Sequence, residues 1–218
     1  RLNQFYKNKG YFDVETNFEI NDLKTKNKEI KYKVEPKEVY IIEDYIDKIK
    51  SNELKDLFLS NLNKSYLKSG NPFNIEKVEK ERNRLIKLYR NNGVYNLQQN
   101  SVQFTAKIDS TGQDKMINII IEIDPIRKRI NDTLQEIVYR KHTIDSIYIY
   151  IESLDNTNLN YDFKSFYKGF KINSKEKLKY KNKSITDPIF INSGELYSDN
   201  DRENTYRYFN SLRNFKYP

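Results

Sequence analysis

Cysteine and tryptophan are absent from the 218 residues, histidine occurs once and glycine six times. Without cysteine there is no disulfide, thiolate nucleophile or thiolate metal site. A lone His142 cannot assemble a multi-histidine metal centre, so it reads as a surface or linker residue. Neither Gly10 nor Gly93 is followed by further glycines at the spacing of a dinucleotide-binding fingerprint. No apolar run approaches the ~18 residues of a membrane-spanning helix. The acidic clusters are equally bare of chemistry. Asp199, Asp201 and Glu203 suit the positive end of a helix dipole and lack the glycine and distal glutamate of a calcium-binding hand. Asp109 and Asp114 flank Gly112 in ordinary turn composition. Glu79 and Glu81, interleaved with Lys77, Lys80, Arg82 and Arg84, read as solvated ion-pair partners. No nucleophile stands beside a base. No catalysis, cofactor or metal is expected.

What is present is charge and aromatic side chains. Lys and Arg number 39 against 31 Asp and Glu, a formal charge of +8, and hydrophobic residues are only 37%. That low fraction suits several small domains, which bury less of their surface than one large domain does. The 18 Tyr and 12 Phe supply the core, since each buried ring removes roughly 150–250 Å² from water. The excess of positive charge, the basic run 175–183 and the tyrosines define one alternative, a basic nucleic-acid-binding domain. Against it, the aromatics recur at buried-face periods and acids are interspersed throughout. A modest positive surplus also suits work beside an anionic membrane surface.

The chain repeats itself. Leu2, Phe5, Tyr6, Gly10, Tyr11 and Phe12 are matched by Leu85, Leu88, Tyr89, Gly93, Val94 and Tyr95, 83 residues on. Each is an amphipathic helix end closed by a glycine where a left-handed backbone is needed. A hairpin follows each glycine: strands near 13–20 and 29–34 around a turn at 21–27, and strands at 101–108 and 117–123 around a turn at 109–114. Pro36 and Pro125 end the hairpins. Between the copies lie a short strand at Val39–Ile42, a helix over 51–67, a break at Ser69-Gly70-Asn71-Pro72-Phe73, and a helix capped by Asn74. A third unit starts with a strand at 143–151. It continues through an irregular, lysine-rich insertion at 156–175. Ser193-Gly194-Glu195-Leu196-Tyr197 then echoes the earlier break before a helix over 202–213 that carries Tyr206, Phe209 and Leu212. The segment 126–141 is either helix or extended connection. The expected domains are 1–36, the C-terminal part of a unit; 37–124, a complete unit; and 125–218, a unit with an insertion that lacks its closing hairpin. The sequence reads as cut from something longer.

This β-α-α-β-β pattern resembles the POTRA domains of the BamA/TamA family of outer-membrane protein assembly factors, and is closer to divergent TamA-like members. The resemblance is carried by Lys7-Asn8-Lys9-Gly10-Tyr11-Phe12, by Glu81–Leu85 with Arg90-Asn91-Asn92-Gly93-Val94-Tyr95, by Ile191–Ser198, and by Asn204–Tyr206 with Leu212–Phe215. It implies an α+β fold of tandem POTRA-like units, each a three-stranded mixed sheet covered by two helices. It further implies a periplasmic arm attached to the bacterial outer membrane through a C-terminal barrel beyond these residues. The implied partners are unfolded outer-membrane β-barrel proteins and periplasmic or lipoprotein accessory subunits, with no nucleic acid. A POTRA-bearing division or secretion partner with a single unit is disfavoured by the tandem repeat.

A unit of this kind needs a right-handed crossover between parallel strands, which the helix pair supplies. Its strand order becomes 1-3-2, leaving the second strand as an edge. Exposed edges accept added strands. The expected client- or partner-binding residues are therefore Ser101, Val102, Gln103, Phe104, Thr105, Ala106 and Lys107.

Overall fold

The computed structural model describes residues 1–22, 27–108, 114–152 and 160–212. The turns expected at 21–27 and 109–114 fall mostly outside these residues, as do the first part of the expected insertion and the stretch from Arg213 onward. Two compact units emerge: residues 1–86 with 98–138, and residues 87–97 with 139–218.

In the first unit, α1 (Leu2–Asn8) leads to a hairpin of β1 (Glu15–Asp22) and β2 (Lys28–Glu35). Its cross-strand pairs divide by face. Phe18 opposes Tyr32 and Ile20 opposes Ile30 on one side; Asn17 opposes Lys33 and Glu19 opposes Lys31 on the other. The apolar side is nonetheless exposed in all four residues. Next come β3 (Ile41–Lys48), α2 (Asn52–Ser60), α3 (Ile75–Arg90), β4 (Val102–Ile108) and β5 (Met116–Ile123). The strand order is β3-β5-β4, with β3 parallel and β4 antiparallel to β5. This is the 1-3-2 arrangement expected from the sequence.

The core follows from alternation. Ile117, Ile119, Ile121 and Ile123 of β5 are buried, together with Leu54 and Phe58 of α2 and Val78 and Leu85 of α3. Burying each such side chain contributes roughly 1.5–3 kcal/mol. Asn74 starts α3 as expected, its Oδ1 accepting the amide of Glu76 at 2.8 Å.

Three local expectations are corrected in this unit. The first strand runs on to Lys48, through a register shift between Ile42 and Tyr45, because pairing with the long strand β5 extends it past the apolar run. The helix expected over 51–67 ends at Ser60 and gives way to a 3₁₀ turn at Leu62–Lys64; the Asn61 side chain there donates to the Leu57 carbonyl. Glu81 is fully buried rather than solvated. Its carboxylate accepts two hydrogen bonds from Arg84, at 2.6 and 2.9 Å, and one from the Tyr66 amide at 3.0 Å. Glu79 keeps the expected exposed ion pair with Arg82.

The ambiguous segment 126–141 is neither helical nor a plain connection. It forms a hairpin of β6 (Ile126–Ile130) and β7 (Thr133–Ile137). Asn131 and Asp132 occupy its two-residue loop with φ of 47° and 59°. A type I′ turn needs positive φ at both positions, and Asn and Asp tolerate it.

The second unit corrects the reading of 156–175. Among the described residues, β9 (Phe163–Tyr167) and β10 (Phe170–Ser174) form a hairpin, and β8 (Ile147–Ile151) lies parallel to β10. The order β8-β10-β9 repeats the 1-3-2 pattern. Phe170 and Ile172 are buried on one face with Ile185 of α4 (Asn182–Thr186) close to the same exposure. The last helix, α5 (Asp199–Leu212), begins three residues before the expected start, with Asp199 and Asp201 in its first turn. Tyr206, expected on a buried stripe, is 54% exposed.

Candidate functional site

Two copies of one junction tie each glycine-ended helix to the structure after it. In the first unit, Gly10 has φ +94° and ends α1, with the Tyr11 amide donating to the Tyr6 carbonyl and the Gly10 amide to the Lys7 carbonyl. That is a Schellman motif. The Gly10 carbonyl then accepts the Tyr40 amide at 2.9 Å, and the Phe73 amide donates to the Tyr40 carbonyl. Ser69 Oγ donates to the Glu43 carbonyl and the Gly70 amide to that of Ile42.

The second unit repeats most of these bonds, although the Gly93 amide donates to the Tyr197 carbonyl instead of back into its own helix. Gly93, at φ +98°, accepts the His142 amide, and the Tyr197 amide donates to the His142 carbonyl. Ser193 Oγ donates to the Asp145 carbonyl and the Gly194 amide to that of Ile144. The break motifs read from the sequence are thus the second strand of a small antiparallel bridge, Ile41 to Pro72 and Thr143 to Leu196. His142 lies in this junction, its ring edge-on to Tyr95 at 5.0 Å.

Charge secures both junctions. Lys115 Nζ lies 2.7 Å from Asp13, which also accepts the Tyr40 hydroxyl at 3.0 Å. The Lys115 hydrogen bond leads in holding the Asp13 carboxyl below its usual range, with Tyr40 adding to it. In the second unit Asp199 receives Arg90 at 3.0 Å, Arg202 at 3.1 Å and the Tyr197 hydroxyl at 2.7 Å. Burial alone would raise the Asp199 pKa; the Tyr197 and Arg202 hydrogen bonds and the Arg90 charge outweigh it and lower it.

Among the described residues β4 pairs only with β5, which leaves it as an edge. The Asp124 amide donates to the Ser101 carbonyl at 2.8 Å, and the register pairs Gln103 with Glu122, Thr105 with Ile120 and Lys107 with Asn118. Backbone groups alternate along an antiparallel strand. The amides of Gln103, Thr105 and Lys107 therefore point to β5, and those of Val102, Phe104 and Ala106 point outward. Not all seven expected residues are equivalent. Ser101 is buried in the 3₁₀ turn before the strand. The outward carbonyl of Val102 is taken by Arg82 Nε at 3.0 Å, and the same guanidinium lies 5.6 Å from the centre of the Phe104 ring. The open stretch of edge is centred on Phe104 and Ala106. Arg82 was read from the sequence only as a surface cation; its spacing along α3 gives no sign that it caps a strand end.

Among the described residues no three His, Asp or Glu side chains gather as a metal site, and no helix is long and apolar enough to cross a membrane.

Residues 42–125 match the protein-family model described as POTRA, surface antigen variable number repeat. No curated protein matches the chain. Among solved structures it is similar to the crystal structure of Haemophilus influenzae BamA POTRA3-5, at 15% identity and a TM-score of 0.44, over 98% of this chain and 67% of that one. The family match spans β3, α2, α3, β4 and β5, whose β-α-α-β-β order and 1-3-2 mixed sheet were established above. Residues 42–125 of this chain are a POTRA domain.

Proposed function

We propose that this chain is part of a periplasmic, non-catalytic scaffold arm of a TamA-like outer-membrane protein assembly factor, binding unfolded β-barrel clients or accessory subunits by strand addition. The observation that carries the reading is the edge of β4 at Phe104 and Ala106, in a three-stranded sheet whose central strand β5 is paired on both sides. An unfolded barrel protein is a series of alternating strands. Backbone pairing at an edge binds such a chain without reading its sequence. Attachment to the outer membrane would come from a barrel outside these residues, and residues 1–36 would close a preceding unit whose remainder covers Phe18, Ile20, Ile30 and Tyr32.

The test is Ala106→Pro. Proline removes an outward amide without removing a β4–β5 hydrogen bond, so the protein should fold while photo-cross-linking of an unfolded barrel client at the β4 edge falls. Thr105→Val, on an amide already paired with β5, should leave cross-linking intact. Undiminished cross-linking in a folded Ala106→Pro protein would remove the strand-addition mechanism.

A further inference from the structure

The outward face of the β8-β10-β9 sheet differs from its counterpart in the first unit. Cross-strand neighbours share a face. Lys171 of β10 stands between Tyr148 of β8 and Phe166 of β9, and Asn173 stands between Tyr150 and Lys164. Tyr148, Tyr150 and Phe166 are 51%, 57% and 69% exposed. The corresponding face of β3-β5-β4 carries Lys107 and Asn118, Thr105 and Ile120, Gln103 and Glu122. It has no ring at all. Three exposed rings on one sheet face, two tyrosines on β8 and a phenylalanine on β9, are costly to leave in water and mark a contact surface.

The two tyrosine rings are ordered with respect to one another. Those of Tyr148 and Tyr150 are 6.5 Å apart and within 14° of parallel. Lys171 Nζ donates to the Tyr148 hydroxyl at 2.9 Å and sits 4.6 Å from the centre of that ring. Lys164 adds a second cation on the same face. None of these six residues, Tyr148, Tyr150, Lys164, Phe166, Lys171 and Asn173, carries a carboxylate. Glu152, two residues beyond Tyr150, is engaged at the margin of this face: it accepts the Tyr161 hydroxyl and lies 3.8 Å from Lys175, and the Tyr161 ring packs edge-on to Tyr150 at 5.0 Å. Asp145 also attracts Lys171. The ring spacing matches the roughly 6.7 Å between side chains two residues apart in an extended chain.

We propose that this face binds an extended polypeptide segment whose near side alternates apolar or aromatic residues with acidic ones. The rings receive the apolar side chains, and Lys171 and Lys164 receive the carboxylates. Two lysines among three rings favour this sparsely charged ligand over a nucleic acid, whose single strand needs cations tracking every phosphate. The proposal deepens the client-binding reading by naming side-chain chemistry at a second surface, and rests on that reading only for the source of the segment.

The probe is the acetylated octapeptide Ser-Phe-Ser-Glu-Ser-Phe-Ser-Glu, titrated into the isotopically labelled chain and followed by amide chemical shifts. The expected result is shifts along β8 and β10, with binding about tenfold weaker after Tyr148→Ala with Tyr150→Ala. Lys171→Gln with Lys164→Gln should remove the preference for the glutamate peptide over its lysine counterpart. Both pairs are exposed, and the β4 variant Ala106→Pro should bind the peptide as the parent does. Binding lost only in Ala106→Pro would overturn this proposal and leave strand addition standing. No shifts on β8 and β10, equal binding of the lysine peptide, or tighter binding of octathymidylate at the same face would each overturn it.

Discussion

The carbonyl of Gly10 accepts the amide of Tyr40 at 2.9 Å, as that of Gly93 accepts the amide of His142 at the same distance. One bond thus recurs at both helix ends, although the residues receiving it differ in chemistry. A Cβ on Gly10 would stand 2.8 Å from the Phe73 carbonyl oxygen, whereas one on Gly70, also at positive φ, would meet nothing within 4 Å. Gly70→Ala should cost about 1–2 kcal/mol from backbone strain alone. Gly10→Ala should cost about 1–3 kcal/mol more from overpacking against a backbone atom. Urea denaturation of the two variants checks the difference; equal costs would mean that the seat on Phe73 can relax.

Glu81 gives a second expectation. Its carboxylate is fully buried against Arg84 and the Tyr66 amide. Glu81→Ala removes the buried carboxylate that accepts two hydrogen bonds from Arg84 and one from the Tyr66 amide, and should destabilise the POTRA domain by about 3–5 kcal/mol. Glu79→Ala, two residues earlier on α3 in an exposed pair, should change stability by less than about 1 kcal/mol. Thermal unfolding of the two variants distinguishes them.

Asp199 makes stability depend on acid. Its folded pKa lies below the ordinary 3.8, so the unfolded chain binds its proton first as pH falls. The stabilisation is complete above 3.8 and disappears as pH drops through the folded value. Asp199→Asn should therefore lower the melting temperature at neutral pH and narrow its gap from the parent in strong acid. Asp13 has the same sign, but its side chain is 39% exposed, so solvent screening should leave Asp13→Asn a smaller effect. A gap independent of pH would contradict the ion-pair account of this junction.

Much of the POTRA domain is legible in the sequence, for a physical reason. The isoleucines of β5 alternate because one face is buried, and Gly10 and Gly93 are glycines because each helix ends in a left-handed turn. The β9–β10 hairpin is harder to read. Its loop is Lys168-Gly169, both at positive φ, and its outward strand positions carry rings and lysines, so apolar/polar alternation is blurred. Tyr148, Tyr150 and Tyr206 also weaken the rule that rings at regular spacing are core, since all three are exposed. At the β4 edge, strand order gives the location. Arg82 narrows it, because only the folded backbone shows which carbonyl the guanidinium reaches.

Strand addition at β4 makes a residue-by-residue prediction for amide hydrogen exchange. With an unfolded barrel-strand peptide in excess, the outward amides of Phe104 and Ala106 should gain protection. Those of Gln103 and Thr105, already paired with β5, should change little. Exchange at Phe104 and Ala106 unaltered by a peptide that demonstrably binds would contradict the account.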